Sequence, residues 1–160
     1  MSRLLSRAAW QLLEPNLLRH LEAPAEAAAA AAMLLGAHLA GAAIEASMLG
    51  AAHACANPLT ARYGVAHGAA VALMLPAVVR WNGAVVSYAD LAPCGSAELV
   101  AARFEELRAA AGLPSRLREV GVEAAALGEL AREAAQQWTA GFNPRPVNEG
   151  DLLHLYEQAL

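Results

Sequence analysis

The chain has 160 residues, of which 58% are hydrophobic, 16% charged and 5% aromatic, and its formal net charge is −4 at pH 7. This length suits one compact domain, and an acidic chain without clustered Lys and Arg argues against a nucleic-acid-binding surface. The apolar residues are mostly Ala, Leu and Val, which favour helices over strands. We therefore expect one all-α domain covering residues 1–160.

Two helices are predicted in the first third of the chain. The first covers residues 2–21, and Pro15 should break or kink it because proline cannot donate the helical hydrogen bond. The second begins at Pro24, a favourable residue in a first turn, and continues to about Leu49.

The second helix contains an uncharged run, residues 27–44, that is long enough to suggest a membrane span. The run is mainly Ala and Gly, and such small residues suit close helix packing better than a lipid environment. We expect a tightly packed central helix in which Gly36, Ala40 and Gly41 let neighbouring backbones approach.

The prolines and glycines divide the rest of the chain. Residues 51–56 should form a turn or two of helix that ends before Pro58, because the residue before a proline avoids helical geometry, and residues 59–64 should form a loop. A further helix opens near His67, with a kink at Pro76. Three more helices are predicted over residues 97–111, residues 122–138 and a last segment capped by Asn148 and Asp151.

Two histidines lie in the segment GAAHACANPLTARYGVAHG, residues 50–68. His53 and His67 are too far apart in sequence to meet on one helix, but each is expected at the end of a helical element. Such ends can direct two imidazoles at one point, and neutral imidazole is a common ligand of Fe and Zn. Spacing alone leaves open a metal site and two unrelated core histidines. The single histidines His20, His38 and His154 are expected to be hydrogen-bonded core residues.

The same segment, followed by LMLPAVVRWN, resembles the metal-binding signature of the iron-containing alcohol dehydrogenases. That signature contains Gly-x-x-His, then Ala-His-x-x-Gly, then Pro-His-Gly. The terminal sequence NPRPVNEGDLLHLYEQAL is similar to the family's C-terminal end, so the resemblance extends over nearly the whole chain. It implies the helical C-terminal domain of the fold shared with dehydroquinate synthases, although glycerol dehydrogenases and dehydroquinate synthases space their histidines differently.

The resemblance makes His53 and His67 two ligands of a catalytic Fe(II), or of Zn(II) in some relatives. Family members use four protein ligands, and the other two come from an Asp-x-x-x-His helix that this sequence lacks. The nucleotide-binding domain that precedes this helix in the family is also missing. Residues 1–160 are therefore expected to be a single helical domain, a fragment that holds metal weakly or not at all and is inactive alone.

Two positions depart from the family pattern. Asn57 stands four residues after His53, where the family usually has a histidine close to the substrate and the nicotinamide. It is our candidate pocket residue, but asparagine does not titrate, so a proton relay through this position would be lost. Ala66 replaces the usual proline before His67, which loosens the backbone without removing the ligand.

The resemblance implies the metal-binding half of an oxidoreductase that transfers hydride between a small alcohol or aldehyde and NAD(P), with NAD(P) bound by the missing domain. Two alternatives remain open. One is a non-catalytic helical oligomerisation or interaction module derived from the same fold. The other is a fragment of a maleylacetate reductase-like enzyme, since those proteins end in similar NPRP segments.

The expected partners follow from composition and from the missing domain. An uncovered apolar face would favour a homo-oligomer or association with a nucleotide-binding domain, with no nucleic-acid or membrane partner. The two cysteines, Cys55 and Cys94, match no disulfide framework, which is typical of proteins in the reducing cytoplasm. Residues 138–145 either border the pocket or face solvent, and Arg62 and Arg145 pair with acidic neighbours or with substrate.

Overall fold

The computed structural model describes residues 1–91 and 93–160, and within these ranges the chain forms α-helices and short 3₁₀ segments with no strand. The α-helices are α1 (Ser2–Glu22), α2 (Ala27–Ser47), α3 (Ala51–Tyr63), α4 (His67–Asn82), α5 (Ala97–Ala110), α6 (Leu127–Ala135) and α7 (Glu149–Ala159). The 3₁₀ segments are Leu117–Val120, Ala124–Ala126 and Trp138–Phe142. The predicted all-α fold is confirmed.

The main hydrophobic core lies among α3, α4, α6 and α7. Its largest fully buried side chains are Leu59, Leu73, Met74, Leu117, Leu130, Leu152, Leu155 and Tyr156. The Tyr156 hydroxyl donates a buried hydrogen bond of 2.7 Å to the Cys55 carbonyl, which ties α7 to α3. Burial raises the pKa of Cys55 to about 12, so its thiol is a neutral core group.

Helix α3 is longer than predicted. It was expected to end before Pro58, with residues 59–64 in a loop, but it continues through the proline to Tyr63. A proline removes one backbone hydrogen bond from a helix, and here the buried Pro58 and the fully buried Leu59 place apolar surface in the core. The helix ends instead at Gly64, whose φ of 64° is the left-handed conformation that a glycine cap provides.

The other helix boundaries are closer to the predictions. Pro15 and Pro76 lie inside α1 and α4 without ending them, whereas Pro24 lies in the turn before α2 and not in its first turn. The helix expected over residues 122–138 is shorter, because a 3₁₀ turn precedes α6 and another follows it. The predicted cap of α7 is confirmed: the Asn148 side chain accepts a 3.0 Å hydrogen bond from the Asp151 amide.

Helices α1 and α2 form a closely packed pair. A Cβ atom on Gly36 would lie 2.7 Å from Cγ and 2.8 Å from Cδ2 of Leu13, so the missing side chain is what lets the helices approach. Gly41, by contrast, has no atom within 4 Å of the position of its Cβ. The predicted role in close packing is therefore confirmed for Gly36 and wrong for Gly41.

Helix α2 is not the central helix that the sequence predicts. It packs on α1, but only 17% of its most apolar window is buried, and the Leu34 and Leu35 side chains are 75% and 52% exposed. By length and composition alone, it is the one helix in the described ranges that could cross a membrane. Core helices of soluble proteins and signal sequences share this length and composition. The exposed side chains leave an apolar face at the edge of the fold.

The different environments of Gly36 and Gly41 give a matched test of the α1–α2 packing. Gly41→Ala should raise the free energy of unfolding by up to about 1 kcal/mol, because alanine is the better helix former. Gly36→Ala should be less stable than Gly41→Ala by about 1 kcal/mol or more, because its new methyl group meets Leu13. Urea unfolding of both variants measures this difference, and equal stability would contradict the packing described.

Candidate metal centre

The structure brings the two predicted histidines together. His53 lies in the first turn of α3, which begins after Gly50, and His67 is the first residue of α4. Their ring centroids are 5.3 Å apart and the ring planes are inclined by 49°. Two imidazoles from separate helices therefore share one small region, as the sequence analysis expected.

The spacing of the rings fits two ligands of one ion. A metal–nitrogen distance of about 2.0–2.1 Å places a ring centroid about 3.2 Å from the metal, so two imidazoles at a tetrahedral angle are about 5.2 Å apart. The observed distance between centroids is 5.3 Å. Within residues 1–91 and 93–160 no three His, Cys, Asp or Glu side chains converge on a common point. This stretch of chain thus offers a pair of ligands and not a complete set, and metal coordination by the pair stays a prediction.

The surroundings of His53 favour the form of histidine that binds metal. The pKa of the half-buried His53 lies below its ordinary value because burial disfavours the charged imidazolium and because His67 would repel it. A neutral imidazole keeps the lone pair that a metal needs. Neither ring has a hydrogen-bond partner among the described residues, and the exposed His67 is open to solvent.

A buried asparagine fixes the start of α3, two residues before His53. Gly50 is the cap of this helix and has no side chain to bond the free backbone amides of the first turn. The Asn143 Oδ1 atom takes that role by accepting a 3.2 Å hydrogen bond from the Ala51 amide. A Cβ on Gly50 would lie 2.9 Å from the same oxygen, so a glycine is needed for this approach.

Asn143 also joins α3 to the end of α4. Its side chain exchanges two hydrogen bonds with Asn82, at 2.8 and 3.2 Å, and donates a third of 2.6 Å to the Arg145 carbonyl. Both asparagines are only 7% exposed. Buried amides with paired groups hold their neighbours in one arrangement, because an unpaired group would be costly.

Asn57 lies on the same helix face as His53, and its side chain is hydrogen-bonded to Gln137. Because α3 is unbroken, Asn57 falls one turn after His53 on the same helix face, as expected. Its half-buried amide donates a 2.9 Å hydrogen bond to Gln137 Oε1. This contact places the 3₁₀ segment Trp138–Phe142 next to the face that carries His53.

The two arginines with open roles both make contacts within the protein, Arg62 with acidic neighbours as expected and Arg145 with an aromatic residue. Arg62 forms ion pairs with Glu129, at 2.6 Å, and with Glu133 on α6. The Arg145 guanidinium lies 3.4 Å from the centroid of the Trp81 ring and donates a 3.1 Å hydrogen bond to the Trp81 carbonyl.

The single histidines are only partly as expected. His38 and His154 are exposed and not in the core, although His154 is hydrogen-bonded to Gln158 at 2.8 Å, as expected. His20 is half-buried, and its Nδ1 atom is buried without a hydrogen-bond partner. These histidines do not join the pair formed by His53 and His67.

Sequence reasoning missed Asn143, Asn82 and Gln137. The one available signal was the Asn-Pro pair at residues 143–144, since asparagine side chains often bond nearby backbone in loops. The partners of Asn143 are Asn82 and the start of α3, which are both far away in the chain. A preference for nearby backbone does not identify partners of this kind.

Comparisons with known proteins match this chain over nearly its whole length. The model of the family described as "Fe-containing alcohol dehydrogenase family, C-terminal" matches residues 1–160. Lactaldehyde reductase of Escherichia coli (strain K12) is 32% identical over 177 residues, which cover 97% of this chain and 46% of that protein. The chain therefore spans about half the length of the curated relatives it matches.

Solved structures match in the same way. The crystal structure of 1,3-propanediol oxidoreductase superposes with a TM-score of 0.93 at 29% identity, covering 99% of this chain and 45% of that one. Maleylacetate reductase from Agrobacterium tumefaciens superposes with a TM-score of 0.81 at 24% identity, covering 99% of this chain and 45% of that one, which shows a shared fold.

The role of Asn143 predicts a large and non-additive loss of stability. Asn143→Ala should lower the free energy of unfolding by about 2–3 kcal/mol, because it leaves the Ala51 amide and the Asn82 amide group buried without partners. Asn148→Ala, which removes only the exposed cap of α7, should cost about 1 kcal/mol. Urea unfolding of Asn82→Ala and of the double variant completes the cycle. The double variant should cost less than the sum of the single ones, and simple additivity would refute the coupling.

Proposed function

The chain belongs to the Fe-containing alcohol dehydrogenase family, and on that premise we propose that it is the metal-binding helical half of an NAD(P)-dependent oxidoreductase of small alcohols or aldehydes. The observation that carries the proposal is the pair of imidazoles, His53 and His67, whose centroids lie 5.3 Å apart. The names of the related lactaldehyde reductase and 1,3-propanediol oxidoreductase support a short, hydroxylated substrate.

We assign the metal to these two histidines. Fe(II) or Zn(II), when bound, supplies a Lewis acid for the oxygen of the substrate. His53 and His67 would hold the ion from two helices, and the lowered pKa of His53 keeps its ring in the neutral form. The remaining ligands and the NAD(P) site are assigned to the part of the longer relatives that this chain does not match.

The role of Asn57 in the reaction is limited to hydrogen bonding. Its amide has no titratable proton, and its nitrogen already donates to Gln137. A substrate proton would therefore have to leave by another route, through solvent or through a group outside this stretch. Asn57 would instead position the Trp138–Phe142 segment along the edge of the site.

One alternative function is supported by a specific observation. The described residues supply only a pair of ligands, and Asn57 stands where the family has a titratable histidine. A helical module that has given up catalysis and assembles with itself or with a nucleotide-binding partner would have both features. The exposed apolar face of α2, at Leu34 and Leu35, supports such association. A maleylacetate reductase-like activity is supported by the shared fold and by the similar NPRP segment at residues 143–146.

The proposed metal site predicts a specific loss of metal affinity. Two imidazoles bind a divalent ion weakly compared with four ligands, so calorimetric titration with Zn(II) or Co(II) should give weak binding near one ion per chain. His53→Ala and His67→Ala should each weaken this binding about tenfold or more. His154→Ala removes an exposed histidine on α7 and should leave it unchanged.

The same titration separates the two functions. Binding that depends equally on His154 would mean surface adsorption, and no metal binding by a chain that forms a stable oligomer would support the non-catalytic module. The enzyme proposal is tested further by mixing the chain with a separately expressed nucleotide-binding half of a relative. NAD(P)-dependent oxidation of 1,2-propanediol or 1,3-propanediol should then require both histidines.

A further inference from the structure

A polar cavity lies between α4, α5 and α7, next to the segment that follows α5. Its volume is about 340 Å³, within the range of about 300–1,000 Å³ that is typical of small-molecule sites. None of His53, His67 and Asn57 lines it. Three arginines against one glutamate give its wall an excess of positive charge. The polar residues of this wall are Arg80, Glu105, Arg108, Ser115, Arg116 and Gln158.

The charge of Arg80 is balanced by two carboxylates. Its guanidinium forms ion pairs of 2.8 Å with Glu98 and 2.7 Å with Glu105. Glu105 is the one acidic residue that the described part of the chain contributes to the cavity wall, and its carboxylate is engaged in this ion pair. The remaining excess of positive charge therefore belongs to Arg108 and Arg116.

Arg108 and Arg116 lack an acidic partner. Neither guanidinium lies within ion-pair distance of a carboxylate in residues 1–91 and 93–160. Arg108 Nη1 donates a 3.3 Å hydrogen bond to the Ala72 carbonyl, and Arg116 Nη1 donates one of 3.4 Å to the Gln158 carbonyl. Both bonds are longer than the usual range of about 2.7–3.2 Å, and a carbonyl has no net charge. The protein's own ion pairs therefore leave both cations uncompensated.

The two uncompensated arginines are close enough to repel each other. Burial lowers the pKa of Arg108, and repulsion from Arg116 adds to this effect, while Glu105 and Glu119 oppose it. The Glu105 carboxylate is already paired, and Glu119 accepts hydrogen bonds from the amide and the hydroxyl of Ser115. An anion in contact with both guanidinium groups would remove the repulsion and supply the missing counter-charge.

We propose that this cavity binds a phosphoryl dianion, either free phosphate or the phosphate end of a small monoester, between Arg108 and Arg116. A phosphate monoester carries a charge of about −1.5 to −2 at pH 7, which matches two cations, and its three oxygens can accept from two guanidinium groups at once. A carboxylate has one charge and matches a single arginine. The site is independent of the histidine pair and of the proposed oxidoreductase function.

The proposal is tested by calorimetric titration of the metal-free chain at low ionic strength, in a buffer without phosphate or sulfate. The probes are glycerol 3-phosphate, inorganic phosphate, acetate and glycerol. Glycerol 3-phosphate should bind at one site per chain, about tenfold or more tightly than acetate, because it pairs with both arginines. Glycerol should not bind measurably. Tighter binding of glycerol 3-phosphate than of phosphate would identify a monoester site, the reverse order would identify a site for the free anion, and both results support the phosphoryl site.

Matched variants locate the site. Arg108→Gln and Arg116→Gln should each weaken the binding of glycerol 3-phosphate about tenfold or more, because each removes one of the two charges and its forked donors. Arg116→Lys keeps the charge and should restore part of the loss. The control is Arg118→Gln, an exposed arginine nearby in the chain that does not line this cavity, and it should leave binding nearly unchanged. Arg116 is also exposed, so its variant should stay folded, and circular dichroism checks this for each variant.

Four results would overturn the proposal. Acetate binding as tightly as glycerol 3-phosphate would show a site for a single charge. Equal weakening by Arg116→Gln and Arg118→Gln would show a general attraction of anions to surface cations. Binding that survives both Arg108→Gln and Arg116→Gln would place the anion elsewhere. Failure of glycerol 3-phosphate and of phosphate to bind the folded wild-type chain would also reject it.

Discussion

The candidate site depends on one buried pair of amides, Asn143 and Asn82. Their side chains bond each other twice, and Asn143 also bonds the first amide of α3 and the Arg145 carbonyl. One side chain from a C-terminal loop thereby fixes both the start of α3 and the end of α4. The fixed start of α3 supports His53 directly, whereas His67 lies at the opposite end of α4 from Asn82 and depends on the packing of α4 in the core.

This arrangement explains how a chain poor in polar residues can hold a defined site. The apolar core of α3, α4, α6 and α7 brings the helices together through burial, but burial alone is not directional. Paired amides and the Tyr156 hydrogen bond to the Cys55 carbonyl add direction, because each is satisfied in only one register. Burial and the neighbouring His67 then keep the His53 ring in its neutral form.

The sequence predicts most of the helices and the pairing of the histidines, but not the contacts that hold them. Its Ala- and Leu-rich composition gives the all-α fold, and the Asn148–Asp151 cap is local enough to be seen directly. The prediction that α3 ends before Pro58 was wrong. It followed a general rule about proline and took no account of the burial of Leu59, which depends on the whole core. Similarly, the small residues of α2 predicted close packing, and this packing is found at Gly36. The same residues could not show that most of α2 is exposed and that it packs mainly on α1.

Asn57 and Asn143 show a further limit of local sequence. Asn57 could be placed on the His53 face from its spacing alone, since α-helical geometry is regular. Its partner Gln137 and the partners of Asn143 are far away in the chain, and a single sequence contains no information about which loop folds back. Arg62 and Arg145 were likewise left between structural and substrate roles until their partners on α6 and α4 were known.

The central claim is that His53 and His67 act together as ligands of one metal ion. The most direct measurement is NMR of the imidazole ring nitrogens during titration of the folded chain with Zn(II). The account predicts that signals of His53 and His67 change together, over the same range of Zn(II) concentration, while those of His20, His38 and His154 stay constant. Independent changes of the two rings, or equal changes of all five histidines, would contradict it.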